Sequence, residues 1–271
     1  MPGIEPIDLR KLVDSKKPGM SGKIPGFVFD FLGRLICLDK INGFLAKYGD
    51  RYGIDYADGM MEYLDITFEV KGEENLPRPD ERVIFAANHP FGGPDGIAMI
   101  AYLGRKYKSL KFPVNDFLMN LENLNDVFIP VNKHGAFSRE AALVLENAYA
   151  SSSQMLIFPA GLCSRKIKGK VRDLPWKKHF VCKAVEYRRN IVPIKIEGEN
   201  SRLFYFIAGL RKFLHIHANL EMLLLPGETF GKTGRKISLV IGKPLAYTDL
   251  KAVSADPAKT AAWLHDLIYR M

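Results

Sequence analysis

Apolar residues recur through residues 24–48 at Phe27, Phe31, Leu35, Leu38, Ile41 and Leu45, close to the helical period. Gly26, Gly33 and Gly43 interrupt that stripe, so the spacing predicts two short amphipathic helices instead of one long one. After residue 65 the pattern changes. Short runs of β-branched and aromatic residues appear at 66–70, 83–87, 128–131, 155–158, 191–196, 220–225 and 237–241, each read as a strand. Helical periodicity fills several of the gaps: 97–107, 139–150 with Ser138 as N-cap, and 176–188 after Pro175. A last helix is predicted over 258–270. The alternation predicts an α/β fold whose mixed, largely parallel sheet is flanked by helices. Residues 1–64 are expected to form an N-terminal helical segment and 65–271 the α/β domain. Functional loops of such sheets sit at the carboxyl ends of strands. Two stretches hold that position: AANHPFGGPDG, which carries the end of the 83–87 run, and PAGLCSRK, which follows 155–158.

Charge sharpens this outline. The net charge is +9, and residues 165–189 hold ten Lys and Arg against Asp173 and Glu186, a local excess of 10 − 2 = +8. Such a segment attracts polyanions, namely nucleic acid, an anionic membrane or an acidic carrier protein, or else it is a solvated face. Trp176 and Tyr187 are its main interleaved aromatics and no nucleic-acid motif accompanies them, which argues against nucleic acid. Residues 24–48 and 203–214 (LFYFIAGLRKFL) join aromatics to basic residues, a composition that suits either a bilayer interface or a helix covering the core. No run of about 18 apolar residues marks a spanning helix, and residues 1–23 lack the apolar centre of a secretory signal. Cys37, Cys163 and Cys182 show neither close pairing nor metal-ligand spacing, which fits a reducing compartment. His215 and His217 alternate as strand residues do, without further ligands at a suitable spacing, so no metal is expected.

The chemistry concentrates in AANHPFGGPDG. Five residues separate His89 from Asp95, and none of them is charged. A histidine titrates near neutrality and suits the role of general base toward a hydroxyl. A carboxylate on its other ring nitrogen fixes the tautomer and steadies the imidazolium. No G-x-S-x-G elbow is present, so the base would act on a substrate hydroxyl and not on an enzyme serine. That hydroxyl must then attack an electrophile already activated, such as a thioester. Gly92 and Gly93 would let backbone amides approach a developing oxyanion. The alternative is a buried histidine closing a strand, with Asp95 as cap of the following helix.

AANHPFGGPDG resembles the first signature block of the glycerolipid acyltransferases, the lysophosphatidate acyltransferase-like family, with Asn88, His89 and Asp95 in the Asn, His and Asp positions of N-H-x-x-x-x-D. VFIPVNK (127–133), IFPAGLCSR (157–165) and IVPIKIEG (191–198) resemble the second, third and fourth blocks, in the family's order. The resemblance implies a peripheral enzyme on the cytoplasmic face of the membrane. It implies transfer of a fatty acyl group from an acyl thioester of coenzyme A or acyl carrier protein to a lipid hydroxyl, with no metal, no other cofactor and no covalent intermediate. It assigns catalysis to His89 and Asp95, and substrate binding to Asn88, Gly92, Gly93, Lys133, Pro159, Ala160, Gly161 and Arg165.

The sequence also departs from the family pattern. The His–Asp spacer is one residue longer, Ala160 stands where the third block has Glu, and Cys163 stands where it has Arg, with Arg165 two positions on. Those positions shape the phosphate site of the acceptor, so their change implies a different headgroup. H-P-x-G-G-x-D and F-P-A-G-L are similar to a haemolysin-like subgroup that includes O-acyltransferases of ornithine and glycine lipids. A lyso-aminolipid is therefore the expected acceptor. The alternatives are lysophosphatidate, a non-catalytic membrane-binding protein, and an acyl-accepting role for Cys163.

Overall fold

A computed structural model describes residues 5–115, 118–131, 139–216 and 218–271. Among the described residues the first four helices are α1 (Leu9–Lys16), α2 (Gly26–Leu35), α3 (Leu38–Tyr48) and α4 (Gly53–Tyr63). The two helices expected within 24–48 are α2 and α3. They part at Cys37, which adopts a left-handed φ of 55°, and not at Gly33. Helix α4 is not apparent in the sequence, because Gly53 and Gly59 dilute its pattern. Gly59 is required by packing: a Cβ there would stand 2.9 Å from the Tyr48 ring.

Among the described residues nine strands follow: β1 (Thr67–Lys71), β2 (Val83–Ala87), β3 (Leu110–Val114), β4 (Phe128–Pro130), β5 (Gln154–Ile157), β6 (Arg165–Ile167), β7 (Lys170–Arg172), β8 (Asn190–Ile196) and β9 (Lys236–Ile241). Seven of them form one sheet in the order β1-β9-β8-β2-β5-β3-β4. From β8 to β4 all neighbours are parallel. β9 runs antiparallel to β8, and β1 lies parallel to β9. The sheet is thus mixed and largely parallel, as the alternation predicts. β6 and β7 make a separate antiparallel hairpin.

The remaining helices are α5 (Gly93–Gly104), α6 (Arg139–Ala150), α7 (His179–Glu186), α8 (Arg202–Phe213), α9 (Leu225–Phe230), α10 (Leu250–Val253) and α11 (Pro257–Ile268). Strand alternation divides them between two faces. Val83, Phe85 and Ala87 of β2 enter one core with residues of α3, α4 and α5. Ile84 and Ala86 enter another with residues of α6, α7 and α11. β2 is buried along its whole length, which explains why its sequence is a continuous apolar run instead of an alternating one. Phe44, Tyr48, Tyr56 and Met61 share the first core with the sheet, so packing runs without a break across residue 64.

One expected strand is corrected. Residues 220–225 are not extended: Leu220–Leu224 form a 3-10 turn that leads into α9. A short apolar run does not distinguish strand from helix by its period, and Pro226 in the first turn of α9 favours the helix. β3 was missed because Lys111 and Pro113 interrupt its apolar positions. Ser138, Lys133 and His217 lie outside the described residues.

Candidate active site

β2 and β5 are adjacent and parallel, with Ile84, Phe85 and Ala86 opposite Met155, Leu156 and Ile157. Their following loops therefore leave the same edge of the sheet side by side. A backbone hydrogen bond joins them directly, from Ser164 N–H to the His89 carbonyl at 2.7 Å. The chain thus brings together two stretches that the sequence reading selected separately.

Nδ1 of His89 lies 2.9 Å from Oδ2 of Asp95, so the longer spacer still lets the pair meet. The approach is oblique to the ring N–H; such contacts often tighten once substrate is bound. The same Oδ2 accepts the N–H groups of Phe91 (2.8 Å) and Gly92 (3.0 Å). Asp95 is the third residue of α5, and its carboxylate caps the positive end of that helix. Cap and partner of the histidine, offered by the sequence as alternatives, are therefore one side chain. Asp95 is fully buried, and its Oδ1 has no hydrogen-bond partner among the described residues. Burial pushes its carboxyl above the ordinary carboxylate range, against the opposing pull of His89 and the two amides.

The loop is held from behind. The Phe91 ring packs against the backbone of Gly198, where a Cβ would stand 2.2 Å from Cζ. Lys232, itself buried, places Nζ 4.3 Å from the centre of that ring. Asn200 Nδ2 donates to the carbonyls of Pro90 and Phe91, both at 3.3 Å. In front, the His89 ring stacks on Phe158, with centroids 4.2 Å apart.

Asp173, absent from the expected site, ties the parts together. Its Oδ1 accepts the His89 backbone N–H (3.1 Å) and the Ser164 hydroxyl (2.6 Å), and its Oδ2 accepts Trp176 Nε1–H (2.9 Å). Its own N–H donates to Tyr269 Oη at 2.7 Å. An acid between Arg172 and the Pro175–Lys178 stretch reads from sequence as surface charge. Its burial was the missing signal.

His89 lines a cleft of about 380 Å³ whose other walls are mainly apolar. Phe112 and Val114 of β3, Val131 after β4, Leu145 of α6 and Phe158 are among its apolar walls. Pro159, Gly161, Lys177 and His179 also line it. Burial, followed by the neighbouring Lys183, holds His179 below the ordinary histidine range and favours its neutral form.

The other expected residues take varied places. Asn88 spends both ends of its amide on Ile196, accepting that residue's N–H (2.6 Å) and donating to its carbonyl (2.9 Å), so it braces the end of β2 against β8. Gly92 N–H is taken by Asp95, and Gly161 N–H donates to the Phe158 carbonyl. Gly93 opens α5, where a helix leaves its first amides without intrahelical partners. Ala160 is buried in the second core. Arg165 is paired with the fully buried Glu221 at 2.8 Å, and Glu221 also lies 2.9 Å from Arg211 Nε. Arg165 is thus a tie between the loop after β5 and the α8–α9 segment. Cys163 is sealed beneath that tie, and burial raises its thiol above the ordinary range, which disfavours the thiolate that an acyl-accepting role requires.

Nor is the basic segment one free surface. Lys183 pairs with Glu146 and Glu186. Buried Arg189 donates to the carbonyls of Val83, Ala148, Tyr149, Ser151 and Ser153. Lys166, Lys168, Lys170, Lys177, Lys178 and Arg188 remain exposed.

Comparison with known proteins places the chain in a family. The chain is 39% identical over 266 residues to a lyso-glycine lipid O-acyltransferase of Bacteroides thetaiotaomicron, covering 98% of this chain and 97% of that protein. It is 38% identical to a protein of the same name from Phocaeicola vulgatus, covering 98% and 95%. Among solved structures, the 1-acyl-sn-glycerophosphate (LPA) acyltransferase PlsC of Thermotoga maritima aligns at 17% identity and a TM-score of 0.48, over 89% of this chain and 86% of that one. The family described as Acyltransferase matches residues 11–260, a span that contains the His89–Asp95 pair, the cleft and the Asp173 clamp, and the chain belongs to that family.

Proposed function

We propose that the protein transfers a fatty acyl group from an acyl thioester of coenzyme A or acyl carrier protein to the hydroxyl of a lyso-aminolipid of the glycine-lipid type. The observation that carries this reading is the contact between His89 Nδ1 and buried Asp95 at the edge of an apolar cleft. With Nδ1 turned to Asp95, the opposite ring nitrogen Nε2 takes the proton of the acceptor hydroxyl as its oxygen attacks the thioester carbonyl. Asp95 steadies the resulting imidazolium. The C–S bond then breaks, and His89 returns the proton to the departing thiolate. The Gly93 and Ala160 amides are the donors proposed for the oxyanion, since those of Gly92 and Gly161 are engaged elsewhere. The cleft takes the acyl chain of the donor.

The headgroup reading is supported by two buried positions. Ala160 and Cys163 stand where the phosphate-binding block has Glu and Arg, and both are sealed from solvent. The two relatives named for lyso-glycine lipid support the same choice. Among the described residues no helix is long and apolar enough to cross a membrane. The proposed enzyme meets its lipid peripherally, at the cytoplasmic face.

The test offers purified protein lyso-glycine lipid and lysophosphatidate side by side, with acyl-coenzyme A and acyl carrier protein in separate reactions, and reads diacyl products by mass spectrometry. Diacylated glycine lipid that disappears in His89→Ala is expected. Strict preference for lysophosphatidate, or unchanged turnover in His89→Ala, overturns the reading.

A further inference from the structure

α8 is apolar on two opposite sides. Phe204, Tyr205 and Ala208 face inward and are buried. Leu203, Phe206, Leu210 and Phe213 recur at i, i+3, i+7 and i+10 on the other side, and with Leu214 they are 44–78% exposed. Ile216, Leu220 and Leu223 extend the exposed apolar surface into the following turn. An exposed apolar row of this kind, on the side of a helix away from its core, marks an interaction surface.

Charge identifies what it meets. Between Ser201 and Leu220 the charged residues are Arg202, Arg211 and Lys212, with no Asp or Glu. Glu221, in the following turn, is fully buried between Arg165 and Arg211, and Glu228, which accepts the Ser201 N–H at the start of the helix, is largely buried. The helix is therefore apolar on its outer side, with cations at its two ends and no carboxylate of its own, which complements an anionic lipid bilayer. A symmetric contact with a second copy would set exposed Arg202 and Lys212 against the same charges of its mate. A 12-residue helix is too short to span, so this one lies along the interface with its aromatic side down.

The surface is also fixed to the chemistry. Arg165 joins Glu221 to the loop that carries Ser164, whose N–H holds His89. Leu225, at the start of α9, backs Gly92, where a Cβ would stand 3.0 Å from Leu225 Cδ1. We infer that the outer face of α8 and the turn after it form a membrane-docking surface for anionic bilayers, seating the His89 loop at the lipid interface. Its choice of partner rests on the lipid-substrate reading above.

The test measures co-sedimentation of the full chain with vesicles of phosphatidylglycerol and phosphatidylcholine, or of phosphatidylcholine alone, without any acyl donor. Binding to the anionic vesicles, weakened by salt and retained by His89→Ala, is expected. Phe206→Ser with Phe213→Ser should lower partitioning by about ten-fold or more, while acyl transfer to detergent-dispersed lysolipid and the melting temperature stay as in wild type. Arg202→Gln with Lys212→Gln should remove only the preference for anionic vesicles. Wild-type partitioning in the Phe206/Phe213 variant overturns the inference. So does a dimer in sedimentation velocity that this variant dissociates. Because binding is read without catalysis, a protein that docks but acylates nothing refutes only the enzymatic reading.

Discussion

Asp173 holds His89 by its backbone, from 84 residues away in sequence, with 3.1 Å between Oδ1 and the His89 nitrogen. The same carboxylate binds Ser164 and Trp176, so the backbone position of the proposed base depends on a group that never touches the imidazole. Asp173 is in this sense a positioning residue.

Replacing Asp173 by Asn turns one acceptor into a donor. If Oδ1 stays with His89 and Ser164, the new NH₂ faces Trp176 Nε1–H, two donors in contact. A displaced reacting group can cost about 10²-fold in rate, so kcat for Asp173→Asn should fall by roughly that factor with little change in KM. Adding Trp176→Phe removes the opposing donor and should recover most of kcat. Steady-state kinetics on the single and double variants check this. A loss confined to melting temperature would make Asp173 purely structural.

His89→Ala should lower turnover by about 10²–10⁴-fold, the range for a lost general base. Because His89 is partly exposed and its backbone contacts do not depend on the ring, thermal unfolding should stay close to wild type. Product formation and a melting curve on the same sample decide it.

Asp95→Asn separates stability from rate. A carboxyl whose folded-state pKa is raised contributes stability that is complete below its unfolded pKa and is lost as pH climbs through the folded value. Burial raises the Asp95 carboxyl, so that contribution declines as pH rises above the ordinary Asp range. An amide can still accept the Phe91 and Gly92 N–H groups through Oδ1. Asp95→Asn is therefore expected to melt no lower than wild type at neutral pH, with the difference shifting toward the wild type in acid below the ordinary Asp range. Its turnover should nonetheless fall by about 10²–10⁴-fold, because an amide does not stabilise the imidazolium. Melting temperature against pH and kcat for both proteins test the two halves separately.

Gly198→Ala should destabilise the fold by roughly 1–3 kcal/mol. The backbone there has φ of +131°, and the added Cβ would collide with Phe91. Denaturant unfolding gives the magnitude. The smaller Phe91→Leu in the same chain should recover part of it by making room.

The parts of this molecule that were legible in sequence are those that burial makes monotonous or chemistry makes rare. β2 and β8 read as strands because both faces of each are covered and their residues are nearly all apolar. His89 and Asp95 stood out because two polar groups bracket a spacer of Pro, Phe and Gly. Residues whose meaning lies in a distant partner stayed hidden. Asp173 is one acid in a basic run until Trp176, Ser164 and His89 surround it. Arg165 reads as a free cation until Glu221, from a run mistaken for a strand, closes on it. Lys232 and Asn200 stand in no motif, yet both support the loop of Phe91.

The division of labour across the sheet has its own consequence. The proposed chemistry sits in the middle, on the ends of β2 and β5, whereas the apolar hollow beside it draws its far wall from β3, the segment after β4 and α6. On the proposed function, substitutions at that margin redraw the length or shape of tail the hollow accepts without moving the imidazole or its carboxylate. Such a layout separates tail choice from the reacting pair, and it makes Val114, Val131 and Leu145 the places to begin when a new tail is wanted.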